Sequence, residues 1–413
     1  MKRRVVITGL GPITCIGIGR EAFWQSIRAG RSGIGRVTRF DTSACKAQCA
    51  GEIDDWDATR FFPPHRLKRL DRFAQFAVAS ALLALEDAQL PWSREQPNDR
   101  IGVSFGSALG GVADAEREHA CFLKKGPRGV NQTLALQVFG GSANSNIAIE
   151  YGFRGPGTTN SNSCASGVVA VGEALRYLRD GMADVMIAGG AEAPLSPLTF
   201  AAFDFIKTMS RWAGDPRFAC RPFDLERDGF VMAEGAASLV LEDHGHARAR
   251  GATIYAEVLG YALNNDAYHM TSPSPGGQTV AACMRAALAD AALAPADIDY
   301  INAHASSTQL NDANEIAAIK TVFGEHAHHL AISGTKAFTG HSLGATGAIE
   351  TALCALALHH GYIPATLHHR TPDPACDLDI VPNIGRTLPV RAALNNAFGF
   401  GGINSVLALR RVD

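Results

Sequence analysis

Two apolar segments of equal length, 167–181 (GVVAVGEALRYLRDG) and 347–361 (GAIETALCALALHHG), each open and close on glycine and constrain this chain more than any other feature. A glycine just past a helical run is an ordinary stop, so the closing match alone carries little. What precedes each segment carries more: a turn of small residues, with Cys164 before the first and His341 before the second. Short β-branched runs alternate with Ala/Leu-rich stretches around them, as a strand at 4–8, a helix at 70–89, a strand at 100–105, a helix at 166–178 and a strand at 185–188. The alternation restarts after Gly251, with a strand at 254–260, a helix at 280–291 and strands at 300–303 and 330–333. This order predicts an α/β fold with buried strands, built twice over residues 1–250 and 251–413. The stretch 272–277 (SPSPGG) reads as a loop rather than a linker, because the chemistry needs groups from both sides of it.

A chain of 413 residues can bury a large core. Its 46% hydrophobic and 19% charged residues are those of a globular protein, and a formal net charge of -2 points to neither nucleic acid nor membrane, although local basic clusters can still steer an acidic partner. The start, Met1-Lys2-Arg3-Arg4, leads into an apolar run of only Val5-Val6-Ile7, too short for a signal peptide, and no apolar run approaches a bilayer span; a cytoplasmic protein is expected. Nine cysteines, odd in number and scattered, favour reduced thiols. Cys45 and Cys49 form the one close pair, and a metal would need two more ligands at matching spacing, so no metal is expected.

Four constellations carry chemistry. In Asn160-Ser161-Asn162-Ser163-Cys164-Ala165-Ser166-Gly167, small residues at a strand-to-helix turn should leave the thiol exposed, and the helix start should lower its pKa and offer amide donors. The alternative for an isolated residue of this type is a buried structural cysteine. Asn302-Ala303-His304-Ala305-Ser306-Ser307-Thr308 follows the apolar strand at 298–301, and the C-terminal end of a buried strand is where such folds place reactive groups. Lys336-Ala337-Phe338-Thr339-Gly340-His341-Ser342-Leu343-Gly344 also follows a strand. Near the C-terminus, residues 395–404 (NNAFGFGGIN) suit a tight loop whose amides face an oxyanion while one ring swings, or a merely structural turn. The paired histidines at 328–329, 359–360 and 368–369 read as solvated surface. No glycine-rich run is followed by Lys-Ser or Lys-Thr, so a phosphate loop is absent.

Together these motifs resemble the β-ketoacyl-acyl-carrier-protein synthases of the elongating, type II branch of the thiolase-like superfamily. The likeness runs from Val5-Val6-Ile7-Thr8-Gly9-Leu10-Gly11 through Gly189-Gly190-Ala191-Glu192, Arg221-Pro222-Phe223-Asp224, Arg227-Asp228-Gly229-Phe230 and Asp266-Ala267-Tyr268-His269-Met270-Thr271 to the final glycine loop. The resemblance implies a duplicated five-layered α-β-α-β-α fold, a dimer, and no cofactor beyond the phosphopantetheine arm that the acyl carrier protein brings. It implies Cys164 as the acyl-accepting nucleophile, with His304 and His341 holding the malonyl carbonyl during decarboxylation. Lys336 and Glu350 match a supporting charged pair, and Phe400 a gating ring whose amide, with that of Cys164, forms the oxyanion hole. Substrate contacts are implied for Leu109 at the acyl-pocket entrance, for Thr271, Phe398 and Gly399, and for Ser306 and Thr308 on the arm. Arg66, Lys68, Arg69 and Lys207, with Arg128, are expected to form a basic rim where the acidic carrier protein docks.

The chain departs from the housekeeping pattern at His304-Ala305-Ser306-Ser307-Thr308-Gln309 and at Asn162-Ser163 before the cysteine. These changes keep every reacting group but alter the pocket wall and arm tunnel, so a specialised polyketide or polyene ketosynthase stands beside fatty-acid elongation. A thiolase would need a second cysteine in the C-terminal glycine loop, and residues 398–402 contain none. Initiating synthases pair Cys and His with Asn, where this chain has His341. A non-catalytic chain-length partner would lack the nucleophile, but the chain can be the catalytic half of a heterodimer with such a homologue.

Overall fold

The computed structural model describes residues 3–412; Met1 and Lys2 of the basic start, and Asp413 at the end of the second half, lie outside the described residues. Ten strands line up in one mixed sheet: β1 (Val5–Thr14), β2 (Ile101–Gly106), β3 (Gly157–Asn160), β4 (Val185–Glu192), β5 (Gly235–Asp243), β6 (Ala256–Asn265), β7 (Tyr300–Asn302), β8 (Ala331–Ser333), β9 (Ala392–Gly399) and β10 (Ile403–Arg410). Their order is β3-β2-β4-β5-β1-β6-β10-β9-β7-β8, with the two-residue strand Gly17–Ile18 paired to β1. Read outward from the centre, each half runs first, fifth, fourth, second, third. The halves join through an antiparallel seam of Val5, Val6 and Ile7 against Val258, Glu257 and Ala256.

Five helices complete the layers: α1 (Arg72–Asp87), α2 (Ser166–Arg179), α3 (Gln278–Ala291), α4 (Gln309–Phe323) and α5 (Thr346–His360). Helices α2 and α5 lie between the two half-sheets, α1 covers the outer face of the first, and α3 with α4 covers the second. The result is α-β-α-β-α, with one apolar core in the centre and one under each outer layer. Every residue of α5 from Thr346 to Leu358 is buried, as a helix sandwiched by sheets must be.

Glycine fixes how closely the layers approach. A Cβ at Gly167 would lie 2.5 Å from the Ala348 nitrogen, and one at Gly347 would lie 2.7 Å from Val168 Cγ2, so the opening glycines mark where α2 and α5 cross. The same effect explains two strands that outrun their expected ends. Strand β1 continues through Gly9, where a Cβ would meet the Ala84 carbonyl of α1 at 2.1 Å, and β4 continues through Gly189 to Glu192. Glycines that looked like stops are points of close approach.

The C-terminal motif is not one loop. Asn395 to Gly399 belong to β9, and only Phe400, Gly401 and Gly402 form the turn into β10, with φ of 83 at Gly401 and 71 at Gly402. The paired histidines are not uniformly solvated either. His360 stacks on Trp24 at 4.9 Å between ring centroids, His359 packs edge-on to Tyr255, and His368 is half-buried against Phe218.

Candidate active site

The duplication places the reactive turn differently from the sequence match. A 3-10 turn, Ser163–Ala165, leads into α2, and another, Leu343–Ala345, leads into α5. Each is entered through a residue with positive φ, Ser163 at 53 and Leu343 at 42. Gly344, rather than His341, therefore stands where Cys164 stands in the first half. His341 is three residues upstream, its backbone N–H bonded to the Val231 carbonyl at 2.7 Å.

Elements from both halves converge on a cavity of about 480 Å³ lined by Cys164, His304, His341, Phe398, Gly399 and Phe400. Residue Cys164 is 7% exposed, so the expectation of an exposed, acidified thiol is overturned: burial pushes it above the ordinary thiol range. The Ser163 hydroxyl, 3.7 Å from Sγ, the charge of Lys336 and the Phe400 backbone N–H all pull the other way, and Glu192 adds to the rise. Gly399 packs closely here, since a Cβ would lie 3.1 Å from both the Cys164 nitrogen and Ser163 Cβ, tighter than an ordinary contact.

The two imidazoles face each other edge-on at 5.4 Å between centroids, with Phe230 against His341 and Phe398 against His304. Burial, then the Lys336 charge, hold both well below the ordinary histidine range, so both are neutral. Thr346 Oγ1 lies 2.9 Å from His341 Nδ1, whereas His304 Nδ1 has no hydrogen-bond partner among the described residues. Behind them Lys336, 1% exposed, donates to Glu350 Oε1 at 2.7 Å and to the His304 carbonyl. Burial pushes the Glu350 carboxyl up against the pull of that partner.

Toward the mouth, the Ser306 and Thr308 hydroxyls are 2.9 Å apart, and exposed Thr271 and Lys207 complete the lining with Arg211. Leu109 is half-buried and packs on the apolar cluster that holds Cys164, Leu195, Phe200, Phe230 and Leu343. The ring of Phe400 stacks on Phe203 at 6.3 Å. Of the five basic positions, Lys207 alone lines this cavity. Lys68, Arg69 and Arg128 are exposed elsewhere on the surface, and Arg66 is half-buried in an ion pair with Glu150 at 2.8 Å.

Two carboxylates escaped the sequence reading of the site. Glu315 on α4 accepts the N–H groups of His304 and Ala305, both at 2.9 Å, and Asn396 Nδ2 at 3.0 Å; burial pushes it up to about 7. Nothing in its helical context marks it. Glu192 ends the apolar strand β4, and a charge closing such a strand was the available signal. Among the described residues no group of three or more His, Cys, Asp or Glu could hold a metal, all nine cysteines are free, and no helix is long and apolar enough to cross a membrane.

Residues 2–247 match the family described as Beta-ketoacyl synthase, N-terminal domain, and residues 255–370 match Beta-ketoacyl synthase, C-terminal domain. The chain belongs to the β-ketoacyl synthase family. Within it, the chain is 43% identical over 410 residues to the 3-oxoacyl-[acyl-carrier-protein] synthase 2 of Synechocystis sp., covering 99% of this chain and 98% of the relative. It is 42% identical over 411 residues to the enzyme of the same name from Staphylococcus aureus, covering 100% and 99%. Among solved structures it resembles the ketosynthase of a type II PKS complex with its acyl-carrier protein, bound to the hexaketide, at TM-score 0.91 and 38% identity over 100% of both chains. The ishigamide ketosynthase/chain length factor aligns at TM-score 0.93 and 37% identity, again over 100% of both. The duplicated, five-layered ketosynthase architecture is thus the fold of this chain.

Proposed function

We propose that this β-ketoacyl synthase condenses an acyl group held on Cys164 with malonyl-acyl carrier protein, with loss of carbon dioxide, to give a β-ketoacyl-acyl carrier protein. The observation that carries the reading is the convergence of Cys164, the Phe400 turn and two neutral imidazoles on one cavity. In the transfer step the Cys164 thiolate attacks the incoming thioester carbon. The amides of Cys164 and Phe400 face the oxygen that gains charge, and the carrier's thiol leaves.

In the condensation step His304 and His341 donate hydrogen bonds to the malonyl carbonyl as it becomes an enolate. A Thr346 hydroxyl donating to His341 Nδ1 leaves the ring hydrogen on Nε2, available to that carbonyl. Burial, reinforced by the Lys336 charge, keeps both rings neutral, so they donate without carrying charge into the ground state. Glu350 balances that charge. The enolate carbon then attacks the acyl-Cys164 carbonyl, and the thiolate is released. The residues 1–250 supply the nucleophile, and 251–413 supply both histidines and the Phe400 turn.

Ser306, Thr308 and Thr271 suit the polar arm of the carrier's phosphopantetheine, and the apolar cluster around Leu109 suits the acyl chain. Lys207 at the mouth suits an acidic carrier protein, and the exposed Lys68, Arg69 and Arg128 add positive charge elsewhere on the surface, while Arg66 is already paired with Glu150. No resident cofactor enters any step, and the cytoplasm is where such a carrier protein is met. A second reading is supported by the altered residues at Asn162-Ser163 and Ala305 to Gln309 and by likeness to a ketosynthase/chain length factor: the chain serves as the catalytic half of a heterodimer in polyketide or polyene synthesis rather than as a homodimer in fatty-acid elongation.

The test is Cys164→Ala, a near-isosteric change at a tight turn. It is expected to stay folded, to lose condensation and to lose the acyl adduct seen by intact-protein mass. Product formation at the parent rate would refute the mechanism, and native mass of the complex identifies the partner chain.

A further inference from the structure

The two pseudo-equivalent turns are each met by the end of the fourth strand of the opposite half. Strand β9 brings Gly399 against the Cys164 turn, and strand β4 brings Glu192 against the Gly344 turn. The first meeting leaves a cavity; the second is filled by a carboxylate. Glu192 is fully buried and accepts four hydrogen bonds: Ser107 Oγ at 2.9 Å and Leu109 N–H at 3.1 Å on Oε1, and Ala108 N–H at 2.6 Å and Gly344 N–H at 3.0 Å on Oε2. Ser107 Oγ in turn accepts the Gly110 N–H at 2.9 Å, so residues 107–110 wrap around the carboxylate. Gly344 must be glycine for this contact, because a Cβ would lie 2.7 Å from Glu192 Oε2 and 2.4 Å from the Ala108 nitrogen.

Each element bound this way carries an apolar side chain of the cluster that holds Cys164, Leu343 lining the cavity itself and Leu109 packing on the cluster from outside that lining. Leu109 follows Ala108, Leu343 precedes Gly344, and both side chains pack in the cluster that includes Cys164. We infer that Glu192 is a positioning residue for specificity, tying the Leu109 wall of one half to the Leu343 wall of the other and so setting the width of the acyl pocket beside Cys164. The role rests on the proposed use of Cys164 as the acyl carrier. Its negative charge also bears on the sulfur, since it adds to the rise of the Cys164 thiol, opposed by Lys336, while the nearby His304 and His341 are neutral. Burial pushes Glu192 itself up to about 7, against its four donors, so it is anionic wherever the thiol ionises.

The experiment uses Glu192→Gln in the full chain, with Ser107→Ala beside it. The amide keeps the shape but turns an NH2 toward two of the four donors; the alanine removes one donor and no charge. Two readouts are taken: the pH profile of Cys164 alkylation by iodoacetamide, and the adduct formed on Cys164 from a length series of acyl-pantetheine thioesters. Glu192→Gln is expected to move alkylation to lower pH and to slow long-chain adduct formation about tenfold relative to short-chain, the lower end of the scale for one methylene misfitted in an apolar pocket. Ser107→Ala is expected to change the length profile in the same direction, by less, with no shift in the alkylation profile. Coincidence of both profiles with the parent in a folded Glu192→Gln protein overturns the inference. If that variant does not fold, an unmoved length profile in Ser107→Ala does so. Alkylation needs no turnover, so a failure of the nucleophile reading, seen as condensation by Cys164→Ala, is told apart from a failure of the positioning role.

Discussion

Replacing Glu350 with Leu strands the Lys336 ammonium in the interior, and the structure sets the scale. The two side chains are 1% and 4% exposed and 2.7 Å apart, so neither water nor salt relieves the survivor. Breaking one side of such a buried pair costs about 3–5 kcal/mol, whereas replacing both sides by apolar residues of similar volume is close to neutral. In the double variant Lys336→Met/Glu350→Leu, the Thr335 hydroxyl keeps Asn302 Oδ1 at 3.2 Å, and the remaining cost is the His304 carbonyl left without the Lys336 ammonium, about 1–2 kcal/mol. An unfolding entropy of about 2.1 cal/mol/K per residue over 413 residues converts these costs to a melting temperature lowered by about 3–6 °C for Glu350→Leu and by about 1–2 °C for the double variant. Calorimetry at one fixed protein concentration reads both. The chemistry follows a different order, because Met at position 336 removes the charge that helps keep both imidazoles neutral. The double variant should therefore regain stability without regaining malonyl decarboxylation. A Glu350→Leu protein that melts with the parent, or a double variant that melts below Glu350→Leu, refutes the reasoning.

His341→Ala is expected to keep acyl transfer to Cys164 and to lose decarboxylation by about 100-fold or more, read as separate half-reactions. Uptake failing while decarboxylation persists reverses the assigned role. Leu109→Phe is expected to shorten the longest acyl chain found on Cys164, since each methylene excluded from the pocket forfeits about 0.8 kcal/mol; an unmoved length profile in a folded protein puts the pocket elsewhere. Acid stability carries the mark of the neutral histidines. The unfolded chain takes up protons near pH 6.5 and the native His341 does not, so stability falls as pH drops below that value, by about 1.4 kcal/mol per unit for this residue. Urea titrations should show His341→Asn losing that much of the slope, and equal slopes contradict a neutral buried ring.

The duplication and the groups that meet in the cavity were legible because each leaves a local mark. Glycine-bounded helices, strand-end histidines and a cysteine in a small-residue turn are patterns within a dozen residues. The strands at Gly235–Asp243, Ala392–Gly399 and Ile403–Arg410 were not assigned, since a buried apolar run shows no period that separates strand from helix. The direction of the Cys164 shift was misjudged for a related reason. A helix start is visible in sequence, but the depth of the thiol depends on Phe230, Leu343 and Leu195, brought in from separate segments. Glu192 and Glu315 act by accepting backbone N–H groups, and backbone donors leave no trace in side-chain composition.

Why a doubled fold should hold one reactive centre follows from the same contacts. The central helices cross at Gly167 and Gly347, so the two turns at their starts sit on either side of that crossing and each faces a strand end from the other half. A strand ending in glycine leaves open space before the turn, and Cys164 there shares a cavity with the Phe400 turn and two neutral rings. A strand ending in Glu192 occupies the corresponding space with its own carboxylate and satisfies the donors that a substrate oxygen would otherwise need. The closed turn then has no room for a thioester, and its donors are spent on holding Leu109 and Leu343 in place. On the proposed reading, one copy of the repeat performs the chemistry and the other fixes the walls that decide which acyl chain reaches it.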